Sequence, residues 1–213
     1  MISRRQFAPF ICVVALAILS SGHFGHAAAA DDGPGAFVTR LGNKTIANMT
    51  DVSLTQSDRK SQFRELLHEG FAVETIGQFV LGKYRRAIPN ETVSEFVRVF
   101  EDYIVSLYAS QFNRYSGEKF LVEKVVETTK SSDSMVMTKI IPNGGAEPLR
   151  VDFQVRNTGN SFKILDVRVE GVSMVLAQRD EFTAYIAKNG GRVEALIDTL
   201  RQRTAGASTT AVK

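Results

Sequence analysis

The sequence predicts an α+β domain in which N-terminal and C-terminal helices pack on one face of a curved antiparallel sheet. Three observations carry this. Apolar residues recur at helical spacing from Phe37 to Phe112; near residue 118 the period changes to two; beyond Gly171 the helical spacing returns. Helices, then strands, then helices is the order expected of helices segregated against an antiparallel sheet.

The first thirty residues stand outside that domain. Met1-Ile2-Ser3-Arg4-Arg5-Gln6-Phe7 is basic, Phe10 to Leu19 is an apolar run, and Ala27-Ala28-Ala29-Ala30 follows. That order predicts a secretory signal peptide over 1–30, since the apolar run is short for a bilayer span. A retained membrane anchor is the alternative. Arg4-Arg5 before Phe7 resembles a twin-arginine export signal, although the usual Lys is missing and Pro9 intrudes. Cys12 lies inside the apolar run, which excludes it as a lipid-attachment cysteine.

The domain is expected over 31–203. Phe37, Val38, Leu41 and Ile46 form a first helical stripe behind Pro34, which suits a first turn. Ser57 reads as the N-cap of a second helix with Phe63, Leu66, Leu67 and Phe71 on its inner face. A short helix over 72–81 ends at Gly82, a residue able to adopt the left-handed cap conformation. Lys83-Tyr84-Arg85-Arg86 is a polar corner. Pro89 to Thr92 opens the longest helix, reaching roughly Tyr115, with Val93, Phe96, Val97, Phe100, Ile104, Leu107, Tyr108 and Phe112 in a wide stripe.

Phe120 to Val126 and Met135 to Ile141 are β-rich, and Pro142-Asn143-Gly144-Gly145 is a strong turn signal. Val151 to Arg156 alternates in strict period two, and with Phe162 to Val169 it reads as a hairpin. Helices follow over 174–188 and over 193–203. The small, polar residues 204–213 read as a disordered tail.

Composition excludes several chemistries. Two of the 26 basic residues lie in the leader and none of the 23 acidic ones does, so residues 31–213 carry a net charge of +1. No broad footprint for nucleic acid follows from such a balance. Past the leader there is no cysteine and a single histidine, His68. Thiolate catalysis and Cys-rich metal sites are therefore out of reach, and any Ser-His-Asp triad would need His68. No P-loop is present, and Gly171-Val172-Ser173-Met174-Val175 has Val where a nucleophile elbow needs its last Gly. No catalytic residue, metal site or cofactor is assigned.

Five blocks, in order, resemble the periplasmic phospholipid-binding family called MlaC, also known through toluene-tolerance proteins. They are Val80-Leu81-Gly82-Lys83-Tyr84; then Phe100, Tyr103 and Tyr108; then Ile141-Pro142-Asn143-Gly144; then Leu149 to Arg156; and finally Val169 to Met174 with Phe182. Arg85 departs from the pattern, since relatives more often carry a bulky aromatic there. The resemblance implies a strongly bent sheet enclosing an apolar pocket. It also implies a soluble periplasmic carrier, with phospholipid as cargo. Its partners would be an outer-membrane lipoprotein complex and an inner-membrane ABC transporter with a substrate-binding ring component. A carrier of another membrane lipid, such as a hopanoid, and a pocket enzyme on the same scaffold are the alternatives.

An acyl-chain carrier must line a cavity with more apolar side chains than its core consumes, because exposing each methylene to water costs about 0.8 kcal/mol. The expected lining is Val151, Phe153, Val155, Val167 and Met137 from the sheet, facing Ile76, Phe79, Phe96 and Phe100 from the helices. Met135, Met137 and Met174 are candidates for adaptable contacts. Tyr84, Arg85 and Arg86 are candidates for the mouth, where a phosphate would sit; a solvated basic corner is the alternative.

Overall fold

The computed structural model describes residues 33–51, 53–109, 117–129 and 132–209. The leader, Phe112, Tyr115 and residues 210–213 lie outside the described residues. Six helices and five strands follow one another in the expected order: α1 (Pro34–Thr50), α2 (Gln56–Gly70), α3 (Val73–Val80), α4 (Asn90–Ala109), β1 (Lys119–Glu127), β2 (Asp133–Ile141), β3 (Leu149–Asn157), β4 (Phe162–Val169), β5 (Val172–Ser173), α5 (Met174–Lys188) and α6 (Val193–Thr209). A 3-10 turn, Gly82–Arg86, joins α3 to α4.

Local chemistry sets the boundaries. Thr55, not Ser57, caps α2. Its side chain accepts from the Asp58 backbone N–H at 3.2 Å, while the Asp58 carboxylate accepts from the Thr55 N–H at 3.1 Å. The reciprocal pair is a capping box, and Asp at its third position outcompetes Ser57. α2 ends at Gly70, where a Cβ would come within 2.4 Å of Leu41 on α1, and Phe71 turns extended as its cap. Gly82 has φ +57, as its cap position requires, and a Cβ would meet Thr183 of α5 at 2.8 Å. α6 runs to Thr209, so residues 204–209 continue the helix where their composition predicts a tail.

The strands form one antiparallel meander in the order β1-β2-β3-β4-β5. Register shifts between Val122 and Lys124 of β1, and beside Gln154 and Val155 of β3, interrupt the ladders. Such bulges increase local twist and bend the strand. Glu170 (φ 49) and Gly171 (φ 81) make the two-residue turn from β4 to β5, with both central residues left-handed as a type I′ hairpin requires. Ser173 then caps α5 by accepting from the Leu176 N–H at 3.0 Å. The Asp166 carboxylate of β4 accepts from the Val175 N–H at 3.2 Å, placing negative charge at the helix N-terminus and tying α5 to the sheet.

Register sorts the sheet into two unlike faces. Val136, Phe153 and Val167 are cross-strand neighbours, as are Thr138, Val151 and Val169. Of these six inner-face residues five are apolar, and the sixth, Thr138, donates its hydroxyl to the Val151 carbonyl. On the outer face Met137 pairs with Asp152 and Asp152 with Arg168, while Asp133 pairs with Arg156. Met137 therefore lies on the opposite face from Val151, Phe153 and Val167. Strand parity places a side chain only once the partner's register is known.

Two buried apolar clusters result. One gathers Val80, Leu81, Phe96, Phe182, Ile186, Leu196, Ile197 and Leu200 among α3, α4, α5 and α6. The other gathers Val38, Leu41, Leu66, Phe120, Val136, Ile140, Val151, Val155 and Ile164 between α1, α2 and the sheet. No described helix is long and apolar enough to cross a membrane.

Candidate functional site

A cavity of about 260 Å³ separates the inner face of the sheet from the helices. An empty apolar cavity of about 150 Å³ already admits benzene. Its floor is Phe120, Ile140, Leu149, Val151, Phe153, Ile164, Val167 and Val169. One wall is Val38, Leu41, Leu66 and Leu67 of α1 and α2. The other is Ile76 and Val80 of α3, Phe100 and Ile104 of α4, and Met174 and Val175 of α5. Polar side-chain groups enter at Thr45, Glu101, Tyr108 and Gln178.

The nine residues expected to line the pocket and Tyr84, expected at its mouth, divide evenly. Ile76, Phe100, Val151, Phe153 and Val167 line the cavity. Val155 is buried beside it in the sheet-facing cluster, without reaching the lining. Phe96 is wholly buried among the helices, stacked on Phe100 at 5.9 Å and edge-on to Phe182 at 5.9 Å. Phe79 points outward, 42% exposed, beneath the Arg179 guanidinium at 4.8 Å. Tyr84 packs on the outside of the helical cluster with Lys83 over its ring, and Met137 is on the far face of the sheet.

Phe79 and Phe96 miss the cavity for one reason. On α3 the inward pair is Ile76 and Val80, four residues apart, which turns Phe79 out. On α4 the cavity takes Phe100, Ile104 and Tyr108, while Phe96 serves α5 and α6. A wide apolar stripe feeds two partners, and the sequence carries no mark of where one ends. Of the methionines singled out, Met174 alone reaches the lining.

Glu101 is the charged group of the lining, and it is neutralised. It accepts from Arg64 of α2 and lies 3.0 Å from His68 Nε2, while Arg64 also holds Asp102 at 2.7 Å. The guanidinium, gripped by two carboxylates, has its pKa raised further by those hydrogen bonds despite the opposing effect of burial. The cluster pins α2 to α4 at one end of the cavity.

Behind the sheet, the Arg156 guanidinium forks onto Asp133, Nε to Oδ1 at 2.7 Å and an Nη to Oδ2 at 3.0 Å, and Gln154 adds a third bond at 3.0 Å. Those donors hold the Asp133 carboxyl below the ordinary carboxylate range. Asp152 is buried on the same face and accepts from Arg150 at 2.8 Å, so it turns away from the cavity that Phe153 enters. Among the described residues no cluster of three His, Cys, Asp or Glu could hold a metal ion.

The model of the family described as MlaC protein matches residues 39–202. Toluene tolerance protein ttg2D of Pseudomonas putida is 24% identical over 116 residues, 54% of this chain and 53% of that protein, so the match spans about half the relative's length. The fold is that of a phospholipid-binding protein from Ralstonia solanacearum solved in complex with a phospholipid. That likeness has a TM-score of 0.70 at 17% identity, covering 82% of this chain and 98% of the other.

Proposed function

The chain belongs to the MlaC family, and from that premise we propose that it is a non-enzymatic carrier whose apolar cavity holds the acyl chains of a phospholipid. The observation that carries the reading is the cavity itself. A lining of this extent, with its one charged group already paired, offers acyl chains a dry surface and offers little to a polar substrate. Two chains of ordinary length would lose roughly 20 kcal/mol of hydrophobic transfer energy in water, which a carrier offsets by enclosing them. Thr45 and Gln178, polar residues of the lining, are where a glycerol and headgroup would leave the apolar region.

The finer reading places the protein in the periplasm. There it shuttles cargo between an outer-membrane lipoprotein complex and an inner-membrane ABC transporter with a ring-shaped substrate-binding component. The apolar leader, 1–30, supports export, and the family supports the partners. A hopanoid would fill the same kind of cavity. An enzyme would need a free acid or base inside it, whereas the lining's carboxylate, Glu101, is paired with Arg64 and His68, and Asp152 lies behind the sheet with Arg150.

Native mass spectrometry of protein taken from its own host tests this reading. The expected result is a species heavier by one phospholipid, identified after extraction. A hopanoid adduct would redirect the cargo, and bare protein under lipid-replete conditions would remove the carrier reading.

A further inference from the structure

A second concave feature lies on the outer side of α3, away from the cavity. Gln78, Phe79, Lys83, Arg85, Arg86 and Arg179 line a cleft of about 450 Å³ between α3, the 3-10 turn and α5. Four of the six are cations, and among the described residues none of the four has a carboxylate partner. What sets the cleft apart is the number gathered there: Arg64, Arg150, Arg156, Arg201 and Arg203 each sit on an acidic side chain, and Arg98 of α4 and Lys188 of α5 lack one among the described residues without belonging to such a cleft. Two of the cleft's cations are positioned. Arg85 Nε reaches Gln78 at 3.4 Å, and the Arg179 guanidinium lies over the Phe79 ring and against Gly82, where a Cβ would come within 3.2 Å of its Nε. Phe79 itself is left 42% exposed in the middle of this charge.

The geometry points to this cleft as a docking surface for an anionic membrane, with lipid phosphates received by Lys83, Arg85, Arg86 and Arg179 and the Phe79 ring set at the headgroup boundary. Unpaired basic residues gathered beside an exposed aromatic are the pattern of interfacial binding. The cations find anionic headgroups, and the ring, apolar with a cation on its face, suits the wet edge of the bilayer. A soluble acidic protein would satisfy the cations but would leave the half-exposed ring unexplained. The placement also has a consequence for the carrier reading, on which docking itself does not depend. α3 gives Phe79 to the cleft and Ile76 and Val80 to the cavity, so a membrane seated on one face of the helix adjoins the wall that holds the cargo.

The test is sedimentation of the protein, purified as its own host makes it, with phosphatidylcholine vesicles containing or lacking phosphatidylglycerol. Association is expected only with the anionic vesicles and should fall steeply as salt rises. Each basic residue near such a surface contributes about fivefold, so K83Q/R85Q/R86Q should bind on the order of a hundredfold more weakly. Phe79→Ser should lose about fivefold, and Arg201→Gln, which removes a cation already paired to Glu95, should change little. Equal association with both kinds of vesicle, association with neither, or a triple variant that is folded by circular dichroism and binds as well as the parent would overturn the proposal. Because the readout is association, an empty cavity would leave these outcomes unaltered and would bear on the carrier reading alone.

Discussion

Between α4, α5 and α6 the rings of Phe96, Phe100 and Phe182 meet at 5.9 to 6.1 Å, and the leucines and isoleucines of α6 close over them with almost no exposure. Between α1, α2 and the sheet, side chains of the same kinds stand apart around 260 Å³ of space. The difference does not lie in hydrophobicity. In the helical half, straight helices interdigitate and fill their own grooves. In the sheet half, buried contacts between α1, α2 and the strands surround the cavity without closing it. The first region spends its apolar side chains on stability; under the carrier reading, the second keeps its lining for something brought from outside. Phe100 belongs to both, buried among the helices and also lining the cavity.

Charge placed in each region separates the two most sharply. Phe96→Asp buries an unpaired carboxylate where a well-packed ring had been, and should cost more than about 5 kcal/mol, leaving no cooperative thermal transition. Phe153→Asp sits at the edge of existing space, so the fold should survive while recovered lipid phosphorus per protein falls at least tenfold. A folded Phe153→Asp protein with its usual lipid would erase the distinction between the two regions.

The outer side of the sheet gives a smaller effect. Asp133→Asn removes the charge and one of the two acceptor oxygens from a bidentate guanidinium pair, and because Arg156 can still reach water the loss should be about 2 kcal/mol in urea unfolding. Asp133's pKa is depressed in the folded protein. Its contribution is therefore complete above the unfolded-state value near 4, and it is lost as pH falls through the lower folded value. The Asn variant should consequently lose less stability than the parent on acidification below about pH 4. Thr55→Ala, which removes the cap of a cavity-side helix, should cost about 1 kcal/mol and leave the helical half unaltered, as amide exchange confined to α2 would record.

Much of this was legible beforehand, and the misses share a cause. The strand and helix order follows from the change of period near 118 and back near 171, and α5 begins and ends where its caps place it. The faces were harder. Met137 falls behind the sheet because parity needs a register, and nothing local fixes the register of β2 against β3. Phe96 and Phe79 are apolar and helical like Ile76, but which neighbour each side of a helix meets is a tertiary fact. Thr55 displaces Ser57 because a capping box outweighs a lone hydroxyl, and that signal, Thr followed three residues later by an acid, was present in the sequence.

The claim that the space between sheet and helices, and not the helical half, holds the cargo has a direct measurement. Val167→Trp fills the cavity from its floor. By native mass spectrometry the parent protein should carry one lipid, and Val167→Trp, shown folded by its near-ultraviolet circular dichroism, should be found bare. A folded Val167→Trp protein that still carries lipid at the parent's occupancy would contradict it.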